Sequence, residues 1–225
     1  MNIAIIPARG GSQRIKGKNF RLFHGKPIIA YSIETARASG RFDKIIVSTD
    51  SPMISEVAKA YGARIHNRAA KLCENDVGTQ EVAAACLRWW MSSPNTMPPE
   101  FVCVIYATAP LMQKHDLQAG LEMLRNGTMK YVYSVDHDDK DVGQWYWGRP
   151  KSFLDGVPLS DANCTRLYIP PDRCCDINVE DDWLRAERMY RELKCGHKYE
   201  LVVPNPEVPE MTHLRCKYCD RIPQT

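Results

Sequence analysis

With 225 residues, 44% of them hydrophobic, the chain is long enough to bury one substantial core. A net charge of +3 is too mild to argue for a nucleic-acid partner, and no run of about 18 apolar residues is present to cross a bilayer. The chain opens directly on an apolar segment with no charged leader, so a cytoplasmic location is expected, and its nine cysteines then read as buried thiols or metal ligands and not as disulfides.

Short apolar strands alternate with amphipathic helices along most of the length. Asn2–Pro7, Lys44–Thr49, Arg64–His66, Phe101–Ile105 and Tyr131–Asp136 read as strands. Between and after them, Ile28–Ser39, Pro52–Tyr61, Thr79–Trp90, Asp116–Arg125 and Asp181–Leu193 read as helices. Ser51-Pro52 supplies an N-cap followed by a proline at the first helical position, and Gly40 and Gly62 stand where helices end on a left-handed residue. Val142–Trp147 alternates weakly and is expected as a short strand outside the main sheet. This βαβ rhythm predicts a three-layer α/β/α Rossmann-like fold with a mostly parallel sheet, its site built from loops at the carboxyl ends of the strands.

The first strand empties into Pro7-Ala8-Arg9-Gly10-Gly11-Ser12-Gln13-Arg14-Ile15-Lys16-Gly17-Lys18-Asn19. Paired glycines let a backbone turn its N–H groups toward an anion, and the cationic side chains here supply the charge that a triphosphate demands. The spacing fits neither G-x-x-x-x-G-K-[ST] nor G-x-G-x-x-G, which sets aside a P-loop ATPase and a dinucleotide site. A solvated basic turn is the bland alternative. It is disfavoured because the segment directly follows the first strand of an α/β pattern, where this architecture places ligands.

From Ile5 to Asn19 the chain resembles the nucleotide signature of the acylneuraminate cytidylyltransferases, the CMP-sugar synthetases that activate acidic sugars. Phe42–Asp50 is similar to the family's second-strand motif, and Tyr106-Ala107-Thr108-Ala109-Pro110-Leu111 to its loop after the fourth strand. Val142-Gly143-Gln144-Trp145-Tyr146-Trp147 resembles the pseudaminic acid branch, and Cys175–Trp183 the metal-binding end motif. The resemblance implies transfer of CMP from CTP to the anomeric hydroxyl of a nonulosonic acid such as pseudaminate, with pyrophosphate leaving and Mg²⁺ as cofactor. It assigns the nucleotide to Ala8, Arg9, Gly10, Gly11, Ser12, Lys18, Asn19, Arg68 and Thr108, the sugar to Gln144 and Tyr146, and catalysis to Arg9, Lys18 and Asp176. Arg14 and Lys16 are auxiliary cations or solvated ones. A synthetase for another acid, of the deoxyoctulosonate type, and a catalytically weak nucleotide-binding protein are the alternatives.

Three departures from the family pattern accompany the resemblance. Gln13 stands where the family commonly has lysine, removing one charge from the loop. Asp176-Ile177-Asn178 replaces the usual Asp-Ile-Asp, so Mg²⁺ would meet one carboxylate, Asp176, and one amide, Asn178. For Asn178 a helix-capping role stays open beside the metal role, while Asp181 and Asp182 read as complements of the helix dipole. Tyr146 and its tryptophan neighbours are equally readable as packing, and Thr79 and Glu81 as helix-opening residues. Between Ser134-Val135-Asp136 and Gly143 only His137–Val142 remain, whereas the family carries a few dozen more residues for sugar contacts and dimerisation. That shortening argues against a homodimer of the usual kind.

After residue 194 the composition changes. Residues 1–194 form the expected catalytic domain and residues 195–225 a tail, with Cys195-Gly196-His197 at its start, a proline-rich middle and Cys216-Lys217-Tyr218-Cys219 toward its end. Three thiolates and an imidazole suit a closed tetrahedral zinc site, and a segment this short needs such a staple to fold. A disordered tail with reduced thiols is the alternative. Arg215, Lys217 and Arg221 are too few to carry nucleic-acid binding.

Overall fold

A computed structural model of the chain describes residues 1–195, 199–202 and 213–216. In chain order these form β1 (Asn2–Pro7), β2 (Leu22–Phe23), β3 (Lys26–Pro27), α1 (Ile28–Ala38), β4 (Lys44–Thr49), α2 (Pro52–Ala60), β5 (Arg64–Asn67) and α3 (Thr79–Ser92). There follow β6 (Phe101–Ile105), α4 (Lys114–Asn126), β7 (Tyr131–Val135), β8 (Asp141–Gly148), α5 (Pro150–Leu154), β9 (Cys164–Tyr168), α6 (Glu180–Lys194), β10 (Tyr199–Val202) and β11 (His213–Cys216). Seven strands make one sheet in the order β5-β4-β1-β6-β8-β7-β9. β1 pairs in parallel with β4 and β6, and β8 runs antiparallel between β6 and β7.

Side-chain alternation along β1 assembles the layers. Ala4 and Ile6 face a core shared with Ile29 and Ile33 of α1, Ile54 of α2 and Leu117 and Leu121 of α4. Ile3 and Ile5 face the opposite core, with Ala83, Leu87 and Trp90 of α3 and Phe153 of α5. Because helices cover both faces, the central strand β6 is apolar and buried along its whole length, and β1 nearly so. The expected caps are present: the Ser51 hydroxyl accepts from Ile54 N at 3.4 Å, and Gly40 and Gly62 have φ of +65° and +75°.

One expectation is corrected. The segment at 142–147 does not stand outside the main sheet; it is β8, near the sheet's centre. Gly143 through Gly148 are all buried, so both faces carry apolar side chains and no period-two signal survives in the sequence. The helix α4 approaches this strand so closely that a Cβ on Gly120 would fall 2.5 Å from the Trp145 ring. β9 and α5 also form where the sequence had suggested no element; β9 is a partly exposed edge strand of mixed composition.

A third core docks α6 beside the β2–β3 hairpin. Phe23 meets Tyr31, Trp183 and Tyr190 edge-on at 5.5 Å each, and the Arg21 guanidinium lies 4.5 Å over the Trp183 ring while pairing with Glu180. This packing brings the segment before α6 to the carboxyl end of β1. Beyond it, β10 and β11 pair antiparallel, with Tyr199 opposite Cys216. No helix among the described residues is long and apolar enough to cross a membrane.

Candidate active site

The chain leaves β1 toward β4 and leaves β6 toward β7, in opposite directions along the sheet, and ligands bind at such a switch point in open α/β folds. A cleft of about 490 Å³ opens there, within the range of small-molecule sites. Its wall includes Arg9, Ser12, Lys18, Asn19, Arg68 and Thr108, with Asn178 closing one side. Arg14 also reaches this wall, whereas Lys16 is exposed away from it.

The loop after β1 is anchored at several points. Ile15 is buried in the α6 core, and Asn19 Nδ2 donates to the Arg9 carbonyl at 2.8 Å. Asp50, at the end of β4, accepts from Gly10 N at 2.8 Å. That bond corrects part of the sequence reading: the Gly10 amide is engaged by a carboxylate and does not point freely into the cleft, and Asp50 acts as a brace on the loop. Ala8 is likewise turned inward, fully buried, with its N–H donating to Ser48 O at 2.9 Å.

Among the cations, Arg9 reaches across the cleft and donates to the carbonyls of Cys73 and Glu74 at 3.0 and 3.3 Å. Arg68 is buried and held by the Ser48 carbonyl at 3.0 Å. Burial pushes its pKa down, but from so high a starting value that it stays cationic. Lys18 Nζ donates to the Ile177 carbonyl at 2.6 Å. Burial is the main influence lowering the Lys18 pKa; Arg14 and Arg9 add to it, and Asp176 opposes it. Burial is thus what chiefly penalises the Lys18 charge, and an anion bound in the cleft would relieve that penalty.

The end segment faces the same cleft. Asn178 Nδ2 donates to Asp176 Oδ2 at 2.5 Å. The cap of α6 is made from its third residue: Asp182 Oδ2 accepts from Asn178 N at 2.8 Å and Val179 N at 3.0 Å. Partial burial works against the Asp182 carboxylate, yet these donors hold its pKa below the usual value. Asn178 thus contributes a backbone donor to the cap, and its side chain is not the capping group; Asp182 does more than complement the helix dipole.

Gln144 and Tyr146 lie in the packed interior, 2% and 1% exposed, and are not on the cleft wall. Gln144 Nε2 donates to Arg173 O at 2.7 Å. Tyr146 stacks on Phe153 and donates its hydroxyl to Thr79 Oγ1 at 3.1 Å. Thr79 is on the wall, which ties Tyr146 to the site at one remove, and Gly78 takes the N-cap position of α3. The sequence reading passed over Tyr106 and Asp141. Tyr106 lines the cleft, and burial followed by the Asp141 charge pushes its pKa up to about 12. Asp141 opens β8 and accepts from Gly143 N at 2.8 Å. Its outer surface meets solvent, but crowding of the carboxyl, and then Asp176, raises its pKa. Only the folding of β8 against the end segment reveals it.

Comparison with known proteins agrees with this geometry. The Cytidylyltransferase family profile matches residues 3–146. The chain is 31% identical over 224 residues to a pseudaminic acid cytidylyltransferase of Campylobacter jejuni, covering 84% of this chain and 96% of that one. It is 27% identical to N-acylneuraminate cytidylyltransferase B of Danio rerio, covering 86% of this chain and 52% of the other. Among solved structures, a CMP:2-keto-3-deoxy-manno-octonic acid synthetase complexed with CTP superposes with a TM-score of 0.65 at 13% identity, covering 85% of this chain and 99% of that one. That likeness shows the fold. The site, the profile and the relatives together place this chain in the cytidylyltransferase family, as a nucleotidyltransferase akin to the pseudaminic acid and N-acylneuraminate enzymes.

Proposed function

We propose that this protein couples CTP to a nonulosonic acid, pseudaminate or a near relative, giving a CMP-sugar and pyrophosphate. The supporting observation is the convergence of Arg9, Lys18 and Arg68 on one cleft at the β1/β6 switch point, with Asn178 on its rim. The anomeric hydroxyl oxygen of the sugar would form a bond to the α-phosphorus as the bond to the bridging oxygen breaks and pyrophosphate departs with the electron pair. Such a transfer needs positioning and charge stabilisation and no covalent enzyme intermediate. Arg9, Lys18 and Ser12 would bind the phosphates, and Thr108 with Arg68 would border the nucleoside. Gln144 and Tyr146 would act on the sugar side indirectly, through the Arg173 carbonyl and the Thr79 hydroxyl.

The chemistry of the end segment fits a hard divalent cation: Asp176 carries a carboxylate and the adjoining Asn178, on the cleft wall, an amide oxygen that would ligate once its N–H, now on Asp176, turns aside. Bound Mg²⁺ would neutralise phosphate charge. The tail, residues 195–225, is proposed as a separate zinc unit with Cys195, His197, Cys216 and Cys219 as ligands. Cys195 follows directly on α6, and the Tyr199–Cys216 register brings the start of β10 beside the end of β11; His197 and Cys219 lie outside the described residues. A cytoplasmic location accords with the reading of the cysteines as reduced thiols.

The decisive assay is pyrophosphate release from CTP, UTP, ATP and GTP against pseudaminate, N-acetylneuraminate and a deoxyoctulosonate, with and without Mg²⁺. Turnover with CTP and pseudaminate above the other pairs is expected. Preference for the deoxyoctulosonate would move the chain to that branch, and binding of CTP without turnover would leave it a nucleotide-binding protein.

A further inference from the structure

Two carboxylates, Asp141 and Asp176, lie against Gly143, beside the Asn178 that closes one side of the cleft. Gly143 has φ of +64°, a conformation that L side chains rarely adopt. A Cβ built on it would fall 2.7 Å from Asp176 Oδ1 and 2.9 Å from Asp176 Cγ. The missing side chain is therefore the cradle in which the Asp176 carboxylate rests. The same residue donates its N–H to Asp141 Oδ1 at 2.8 Å, holding the second carboxylate at the edge of that cradle.

Among the described residues, no lysine, arginine or histidine forms an ion pair with either Asp141 or Asp176. Asn178 turns an amide N–H toward Asp176, which satisfies one oxygen and neutralises no charge. Lys18 feels the Asp176 charge from within the cleft but forms no ion pair with it, and like charges that act on each other carry a cost a cation would offset. The backbone conformation at Gly143 nevertheless maintains them.

We propose that Asp141 is a ligand of the divalent cation, so that the metal site is built from β8 and the end segment together, with Asp141 supplying the anionic oxygen that Asn178 lacks. Both ligands are hard oxygens, suited to Mg²⁺ or Mn²⁺. The inference rests on the cytidylyltransferase reading of the cleft, and its test separates the two.

The test uses Mn²⁺ as probe, titrated into the full-length protein and followed by electron paramagnetic resonance, with and without CTP. Asp141→Asn and Asp176→Asn are each expected to weaken Mn²⁺ binding by about tenfold or more, while in Asp141→Asn CTP binding in the absence of metal changes less than about twofold. Asn178→Asp introduced into Asp141→Asn should recover part of the lost affinity. Wild-type Mn²⁺ affinity in a folded Asp141→Asn protein would overturn the proposal. Should that variant fail to fold, Asp141→Ser, smaller and still able to accept from Gly143 N, is measured instead with the same two readings. Normal Mn²⁺ behaviour of these variants alongside CTP turnover sinks the metal ligand and spares the enzyme; weakened Mn²⁺ binding without turnover of any nucleotide does the reverse.

Discussion

Lys18 is the side chain whose environment reports most directly on the ligand. Burial, reinforced by Arg14 and Arg9 and opposed by Asp176, lowers its pKa below that of ordinary lysine, so the free enzyme loses this charge earlier on the alkaline side than a solvated lysine would. The kcat/KM profile reports groups of the free enzyme. It should therefore fall at high pH with a limb below the usual lysine range, and Lys18→Arg, which cannot deprotonate there, should push that limb upward. A limb that stays in place in Lys18→Arg would assign it to another group. Lys18→Ala should cut turnover by about a hundredfold or more with the fold intact, whereas Lys16→Ala, exposed and off the wall, should change it little. The cations were legible in the sequence because they cluster within one loop. The engaged Gly10 amide and the Asp141 carboxylate were not, since each depends on a partner from a distant segment.

Among the elements, α4, β8 and the end segment are tied together at Arg173. Its guanidinium pairs with Asp116, through Nη2 to Oδ1 at 3.2 Å and through a second bond from Nη1 to Oδ2. Both side chains are buried, at 9% and 5% exposure. Asp116 Oδ2 also accepts from Gln113 N at 3.2 Å at the start of α4, and the Arg173 carbonyl accepts from Gln144. The helix that follows the Thr108 loop is thereby clamped to the strand and to the segment carrying Asp176. Removing one partner strands the other charge, so Arg173→Met should cost about 3 to 5 kcal/mol in denaturant unfolding. Adding Asp116→Leu should recover most of that loss, because two apolar groups replace a buried pair with little penalty. An unchanged unfolding midpoint in Arg173→Met would mean the pair contributes nothing. The Ile- and Val-rich strands β1, β4 and β6 could be bounded from sequence to the residue. The clamp could not, because Asp116 reads as an ordinary first-turn acid and Arg173 as a loop cation until the chain folds.

At the scale of the whole molecule, the turn after β7 and the strands after α6 border on what the proposed reading leaves to be tested. The turn from β7 to β8 is closed by Asp136, which accepts from the Asp138 and Lys140 amides at 2.9 and 3.0 Å, with Asp139 at φ +63°. The alignment with the Campylobacter relative runs over 224 residues yet covers only 84% of this 225-residue chain, so the relative carries residues that this one lacks. Such a tight turn leaves no arm between these strands, which under the proposed reading would open the sugar side of the cleft to other segments of the chain. The tail begins where α6 ends, and its two-stranded pairing is short, a kind of hairpin that is marginal alone in water. Metal binding by Cys195, His197, Cys216 and Cys219 would supply the missing stability. Protein purified without chelator should then contain about one zinc per chain, and Cys216→Ser should release it and expose the tail to protease while CTP binding in the cleft survives. Absence of zinc would remove the metal from the tail altogether. Loss of CTP binding in Cys216→Ser would instead make the tail part of the catalytic domain, placed to cover the side that the short β7–β8 turn leaves open.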